Sequence, residues 1–336
     1  MRKKILPICM ILLLILGGCG ASQSSAPSPA APAESAAGSN SSSDPYDLRW
    51  GTAAAGGAFQ VIGSAMLEDA KAANPNITGS TMPSTPTTSV MGIHEGKMNI
   101  AFSIADITNM AKKGEGDFAA VGKIDDIREV AALYPQAAHI VTLEGSGINS
   151  IEDLRGKRVT PGPKSTSGDV EFQRTIALYG MTVEDVNIQY LSFEEAGQQM
   201  IDGHLDAVFL FSPPPFAPVI NIASQKSIKM LEIPAEQIAE LTELEGLDAY
   251  EFAAGTYKGV DYPVQTISSR SHIIAHKDVP EDIVYSLVKS FHENFGRYPT
   301  VLSNMGLISA ENMADDIGIE LHPGAAKYYR EQGWIQ

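Results

Sequence analysis

The chain has 336 residues, with 24 Lys and Arg against 40 Asp and Glu, for a formal net charge of −16. So acidic a surface argues against sequence-independent nucleic-acid binding, which needs basic patches. Hydrophobic residues make up 44% of the chain, enough for a real core, so wholesale disorder is excluded, and the length allows two ordinary domains or one large one.

Arg2-Lys3-Lys4 is a short basic segment, and Ile5 to Leu16 is an apolar run too short for a comfortable bilayer span. Leu16-Gly17-Gly18-Cys19 then resembles the bacterial lipobox, in which the cysteine is diacylated and the chain is cut just before it. The competing reading is a plain transmembrane anchor with an accidental cysteine. The lipobox implies a signal peptide over 1–18 and a lipidated Cys19, and two or three acyl chains anchor stably at about 0.8 kcal/mol per buried methylene. Residues 19–45 are rich in Ser, Ala and Pro, with little apolar bulk to bury, and read as a disordered tether. The body is therefore expected outside the cytoplasm, attached to the bacterial membrane through lipid alone. Cys9 and Cys19 are the only cysteines, so that body has no disulfide, zinc–thiolate site or cysteine nucleophile.

Leu48 to Thr52 reads as a first strand, followed by the small-residue turn Ala53-Ala54-Ala55-Gly56-Gly57. From Phe59 the spacing of Val61, Ile62, Ala65, Met66 and Leu67 has helical period, and Asn74-Pro75-Asn76 ends that helix. A helix from about Thr87 to His94 leads to a strand at Asn99 to Phe102. Val130 to Tyr134 and His139 to Leu143 read as strands split by Pro135. Ile151 to Val159 gives a short helix, a turn and a strand. Val159-Thr160 leads through Gly162-Pro163-Lys164-Ser165-Thr166-Ser167-Gly168 into a helix carrying Phe172, Ile176 and Leu178. Val186 to Leu191 and Ala207 to Phe211 read as strands around a helix from Glu194 to Asp202, and further helices are expected near Ala235 to Leu244 and Pro280 to Phe295. Strands alternating with helices predict an α/β fold with mainly parallel sheets.

Two strand–loop–helix units therefore present small loops at helix amino ends, where free N–H groups and the helix dipole favour anions. Thr85-Pro86-Thr87-Thr88 is a third such start, with Thr85 the expected N-cap and Pro86 at the first helical position. Thr166 and Asp169 look like a capping pair. The bland reading of any one of these is a capped helix; together they favour a ligand cleft.

These segments resemble the TAXI group of TRAP-transporter solute-binding proteins. The resemblance rests on Gly51-Thr52-Ala53-Ala54-Ala55-Gly56-Gly57, on Val130 to Pro135 followed by His139-Ile140-Val141, and on Gly147 to Val159. Tyr190 to Ala196, Ala254-Gly255-Thr256-Tyr257 and Leu321 to Tyr329 add to it, and the match covers nearly all of the chain after the tether. It implies a type II periplasmic-binding fold: two α/β lobes around a cleft, joined by hinge strands at Tyr134 to His139 and Thr266 to Arg270. Lobe 1 is then 46–144 plus 270–336, and lobe 2 is 145–269. Such a protein closes on a ligand and delivers it to an ion-gradient-driven TRAP permease. The family's ligands are glutamate, glutamine and dicarboxylates such as 2-oxoglutarate. A monomer without cofactor or metal is expected.

The sequence departs from the family pattern where ligand contacts are expected. Phe59-Gln60 stands in place of a tyrosine pair, Ile104-Ala105-Asp106 in place of polar residues before an aspartate, Ser84-Thr85 in place of a glycine pair, and Ser212-Pro213-Pro214-Pro215-Phe216 in place of a Gly-Val-Pro-Thr-Pro-like stretch. These changes imply a less polar wall formed by Phe59, Ile104, Phe211 and Phe216, although Phe211, ending a strand, reads better as core. On the polar side, backbone N–H groups at Gly56-Gly57 and Ser167-Gly168, with the hydroxyls of Thr52, Ser84, Thr87, Thr88, Ser165 and Thr166, favour a carboxylate. Lys164 supplies one positive charge or is simply solvent-facing.

An enzyme is the main alternative class. The first loop lacks Gly-x-Gly-x-x-Gly spacing, no phosphate loop is present, and no Gly-x-Ser-x-Gly elbow marks a nucleophile. A dispersed Ser–His–acid triad of a secreted hydrolase leaves no sequence mark and stays open. His272 and His276 have metal-compatible spacing on a helix, but Ser271 to His276 reads as a strand, which separates them. Asp125-Asp126 and Asp315-Asp316 read as solvated loops. A binding protein that feeds a sensor kinase or chemoreceptor instead of a permease is indistinguishable by sequence.

Overall fold

Strands with both faces buried set the architecture. The computed structural model describes residues 45–53 and 57–336. The signal peptide, Cys19, the tether through residue 44 and Gly56 of the first loop lie outside the described residues.

The amino-terminal elements are β1 (Tyr46–Thr52), α1 (Ala58–Ala73), β2 (Ile77–Pro83), α2 (Pro86–His94), β3 (Ile100–Ile104), α3 (Ala105–Lys113) and β4 (Ile127–Leu143). The middle of the chain forms β5 (Arg158–Thr160), α4 (Ser167–Ala177), β6 (Asn187–Ile188), α5 (Phe193–Ile201), β7 (Ala207–Ser212), α6 (Ala217–Gln225), β8 (Ile228–Met230), α7 (Ala235–Leu241) and β9 (Asp248–Phe252). It closes with β10 (Val264–His276), α8 (Glu281–Asn294), α9 (Tyr298–Val301) and α10 (Pro323–Gln332).

The strands join in the order β2-β1-β3-β10-β4-β7-β5-β6, with β8 on β4 and β9 on β10. Pairing within β2-β1-β3 and within β7-β5-β6 is parallel. β10 runs antiparallel to both β3 and β4, and β4 antiparallel to β7. Every residue of β3 and of β7 is buried, as expected when helices cover both faces of a sheet. In lobe 1, α1, α8 and α10 cover one face over Trp50, Phe102 and Phe291, while α2 and α3 cover the other over Val90, Ile107 and Ile274. In lobe 2, α4 and α7 pack over Phe172 and Phe209, opposite α5 and α6 over Met200 and Leu210.

Only β4 and β10 belong to both halves of this sheet. The sequence reading broke β4 at Pro135, yet the strand is continuous over 17 residues. Proline lacks the N–H a ladder needs, and sheets tolerate it at bulges. Pro135 pairs with Arg270 beside a register shift in β10, and β7 joins the other edge of β4 only from Ala137. The missing donor therefore falls where the ladder is already irregular. The strand expected over Val186 to Leu191 shrinks to Asn187–Ile188, with Gln189 N making the last ladder bond, to Val159 O. The expected helix to Leu244 ends at Leu241. His272 and His276 lie on β10, as the strand reading required.

Candidate functional site

The amino ends of α2 and α4 meet across the gap between the lobes. α2 starts as the sequence predicts: Thr85 Oγ1 accepts from Thr88 N, Thr88 Oγ1 accepts from Thr85 N, and Pro86 opens the helix. Thr87, in the first turn, is buried, and its hydroxyl reaches the Ser165 carbonyl at 3.5 Å. A second contact between the two halves is made by Asn304 Nδ2, which donates to Pro214 O at 3.1 Å. Val170 of α4 packs against the lobe 1 cluster of α2 and α3.

The loop before α4 is held differently from the predicted capping pair. Thr166 is the N-cap, but its hydroxyl donates to Pro163 O at 2.8 Å, and Asp169 Oδ2 instead accepts from Ser165 N at 3.0 Å. Ser165 has φ 58, a left-handed conformation that costs a non-glycine residue about 1–2 kcal/mol and that the bond to Asp169 offsets. Gly168 is required by close packing: a Cβ there would lie 2.6 Å from Pro161 O. Ser167 is buried, and among the described residues its hydroxyl has no partner. Lys164 is exposed, with its ammonium 5.7 Å from the centroid of the Tyr190 ring.

Most of the other predicted hydroxyls are engaged by nearby backbone. Ser84 Oγ donates to Thr52 O at 2.6 Å and lies 2.8 Å from Ser89 Oγ, while Thr52 Oγ1 reaches Ala53 O and Met82 O. Gly57 is the N-cap of α1, with no side chain to cap it. Gln60 on the same helix donates to Ser64 Oγ at 3.2 Å. The predicted apolar wall divides. Ile104 and Phe211 belong to the lobe cores, and Ser212 is buried at the end of β7, paired with Ala137. Phe59, a 9% exposed member of the same core cluster as Ile104, stacks on Phe102 at 4.9 Å and approaches Tyr134 on β4. Phe216 is half-buried at the start of α6, edge-on to Phe193 at 5.2 Å.

Two polar clusters were not assembled by the sequence reading, which had named only Asp106 and Phe216 of their members as site candidates. In the first, Phe216 N donates to Tyr257 Oη at 2.7 Å, and Tyr257 Oη lies 2.7 Å from His139 Nε2. His139 Nδ1 faces Leu210 O and Ala137 O, so it carries the proton and Nε2 accepts from the tyrosine. Burial pushes the imidazole down to about 4, against about 6.5 in an unfolded chain. The neutral ring contributes stability that is fully present above pH 6.5 and is lost as pH falls from there to about 4. The shift corresponds to about 3 kcal/mol. Urea titrations of wild type and His139→Gln between pH 7 and 4 should show wild type losing the larger share; parallel losses would refute a role for this ring.

The second cluster joins the lobes. Asp106, in the first turn of α3, and Glu171 of α4 are both buried, and Arg174 Nη1 donates to Glu171 Oε1 at 2.6 Å. Ser269 Oγ on β10 accepts from Asp106 N and donates to Asp106 Oδ1, both at 3.1 Å. Burial raises the carboxyl of Asp106 and raises that of Glu171 well above the ordinary range. The loop before β9 closes over this cluster: a Cβ on Gly246 would sit 2.6 Å from Ala105 C and Asp106 N, and Glu245 pairs with Lys113 at 3.6 Å. Asp106 was singled out by position in the resemblance; Glu171, buried on a helix of amphipathic pattern, carried no sequence signal. Among the described residues, no group of three His, Cys, Asp or Glu side chains is arranged to hold a metal ion, and no helix is long and apolar enough to cross a membrane.

The profile of the NMT1-like family matches residues 50–333. Among solved structures, the alkanesulfonate-binding protein SsuA from Xanthomonas axonopodis pv. citri, bound to MOPS, is similar with a TM-score of 0.50 at 14% identity, over 85% of this chain and 83% of that one. A chain from the structural study of glutathione import via GshT and the cystine ABC importer TcyBC of Streptococcus mutans is similar with a TM-score of 0.50 at 12% identity. That match covers 80% of this chain and 100% of the other. At such identities the likeness carries the fold, the two-lobed α/β architecture of type II periplasmic binding proteins expected from the sequence.

Proposed function

We propose that the chain, which belongs to the NMT1-like family, is an extracytoplasmic solute-binding lipoprotein that captures a small carboxylate by closing its lobes. The observation that carries the reading is the meeting of the α2 and α4 amino ends across the cleft, with Thr87 Oγ1 3.5 Å from Ser165 O. Two helix amino ends converging on one gap concentrate N–H donors and positive dipole there, which favours an anion over a cation. The Ser167 hydroxyl, without a partner among the described residues, adds a donor on the lobe 2 side, and the strained Ser165 conformation fits a loop held for binding. Residues 46–144 with 270–336 move as one body, 145–269 as the other, and the hinge is Tyr134 to His139 with Thr266 to Arg270. At the hinge, Arg270 Nε donates to Leu133 O and Nη1 to Asp315 Oδ2, stitching β10 to lobe 1. The protein acts as a monomer, unchanged ligand leaves it for a TRAP-type permease, and lipid on Cys19 holds it at the membrane. It catalyses no reaction of its own.

With Ile104 and Phe211 the more deeply buried in the cores, the less buried Phe59 and Phe216 are the apolar side of the site. Calorimetric titration with glutamate, 2-oxoglutarate and monocarboxylates of increasing carbon number tests the reading. One ligand class should bind at a single site and compact the protein in small-angle scattering. Phe59→Ala should weaken the longer monocarboxylates most, by up to about 0.8 kcal/mol per methylene released to water. Absence of binding across the series would refute the carboxylate. Fatty-acid labelling that survives Cys19→Ala would refute the anchor.

A further inference from the structure

Tyr257, 2% exposed, follows β9 in a loop folded on itself, with Gly255 N donating to Val260 O and Val260 N to Tyr257 O. Its hydroxyl accepts from Phe216 N at 2.7 Å and donates to His139 Nε2 at 2.7 Å. His139 lies on β4 opposite Leu210 of β7, and its Nδ1–H faces the Leu210 and Ala137 carbonyls. One directed chain of hydrogen bonds therefore runs from Phe216 N through the tyrosine and the imidazole to the backbone of β7 and β4. Each polar atom in it has a partner, as buried groups require.

The segment tied down by this chain is Ser212-Pro213-Pro214-Pro215-Phe216. Three consecutive prolines have no N–H, so Phe216 N is the first backbone donor after Ser212, and it is engaged by Tyr257. Pro214 O accepts from Asn304 Nδ2 of lobe 1 at 3.1 Å. Phe216 stands edge-on to Phe193 at 5.2 Å, and Phe193 packs so closely on Gly162 that a Cβ there would lie 2.9 Å from its Cε1. Gly162 precedes, in the same loop, Ser165, whose carbonyl faces Thr87 of lobe 1. The position of Phe216 thus bears on two interlobe contacts, Pro214 with Asn304 and Ser165 with Thr87.

We propose that Tyr257 is a positioning residue of the capture site: its hydroxyl fixes the triproline segment while the lobes are still open, so that Pro214 and Phe216 meet lobe 1 and the ligand without further ordering. The inference rests on lobe closure as the mode of capture and on Phe216 as part of the cleft wall. Tyr257 and Phe216 belong to lobe 2, and His139 is paired with its strand β7, so the chain of bonds is intact in the open and closed forms alike. Asn304 belongs to lobe 1, and its bond to Pro214 is made on closing. A segment held beforehand loses little freedom when it docks, whereas a loose one loses that freedom at closure and weakens it. Tyr257 thus acts on the Asn304 contact only through the backbone from Pro214 to Phe216.

The test places spin labels on the full chain in detergent at Lys97→Cys and Lys226→Cys, both exposed and on different lobes, with Cys19 already acylated. Interlobe distance distributions are recorded without ligand, with 2-oxoglutarate and with hexanoate. Tyr257→Phe should lower the ratio of closed to open forms by about fivefold or more. Asn304→Ala should lower it too, and the double variant should fall no further than Tyr257→Phe alone, because a loose segment has already lost Asn304. A tyrosine that only fills the core would lower the melting temperature without this coupling. Tyr262→Phe is the control: it also removes a lobe 2 hydroxyl bonded to backbone, at Met230, and should leave the ratio as in wild type. Should Tyr257→Phe misfold by circular dichroism, His139→Leu removes the acceptor that orients the hydroxyl and should couple to Asn304→Ala in the same way. A ratio in Tyr257→Phe within about twofold of wild type, or losses from Tyr257→Phe and Asn304→Ala that add in full, overturns the positioning role. A wild type with one unchanged distance under every condition overturns lobe closure and this inference with it. If wild type samples both forms but neither probe shifts them, the carboxylate fails alone, and the ligand-free ratios judge Tyr257.

Discussion

Gly246→Ala is expected to weaken carboxylate capture by about ten- to a hundred-fold while costing little in global stability. Gly246 sits in the lobe 2 loop that covers the amino end of α3, with φ +92. An added Cβ would lie 2.6 Å from Ala105 C and Asp106 N, both backbone atoms of lobe 1 that cannot swing aside as a long side chain would. Overpacking of this kind costs about 1–3 kcal/mol, and it arises only when the lobes are shut. The backbone strain of alanine at positive φ is different, because it is present with the lobes open or closed. Gly255→Ala separates the two: it has φ +82, also in lobe 2, with no atom within 4 Å of the added carbon. Both variants should melt slightly below wild type, and only Gly246→Ala should lose affinity in calorimetry and compaction in scattering. Equal affinity losses in the two would mean that the loop does not ride on lobe 1 during capture.

The sequence carried the layers of this fold because each is a local pattern. Helical spacing from Val61 to Leu67, the Thr85-Pro86 start of α2 and the apolar Ala207 to Phe211 strand all emerge at the predicted places. What it could not carry is pairing at long range. Pro135 looked like a strand break because proline removes a donor, and only the register shift opposite it in β10 makes that loss harmless. β2 was missed because Ile77–Pro83 is half-exposed and holds Gly and Ser, so neither alternation nor an apolar run marks it. The candidate site divides in the same way. Loop residues at helix starts were legible from small and hydroxyl side chains, although packing then engaged Ser84, Thr85, Thr88 and Thr166 in their own caps and turns. His139 acts through a partner 118 residues away, Tyr257, and no spacing rule relates such a pair. His139 and Tyr257 had been quoted only as members of family segments, and Glu171 not at all.

Phe102→Ala should be the most destabilising single truncation in lobe 1, by about 3–5 kcal/mol. Phe102 lies on β3, 1% exposed, between two rings: Trp50 at 5.5 Å with planes 18° apart, and Phe59 at 4.9 Å with planes 11° apart. Alanine there leaves a ring-sized void between two large flat groups that backbone holds apart, Trp50 by β1 and Phe59 by α1, so the gap cannot close without moving an element. Gly63 shows how tight the packing is, since a Cβ on it would lie 2.7 Å from Phe102 Cε2. A loss of that size should lower the melting temperature by about 10 °C in a chain of this length. Phe59→Ala removes only the outer ring of the stack, one that is 9% exposed and borders β4 at Tyr134, so part of its gap is open to water and its stability loss should be smaller. The two variants thus separate fold from function: Phe102→Ala acts on the melt first, Phe59→Ala on the affinity for longer monocarboxylates. A Phe102→Ala protein that melts within 2 °C of wild type would show that the stack relaxes freely, and Phe59 would then lack the rigid backing that makes it a wall of the cleft.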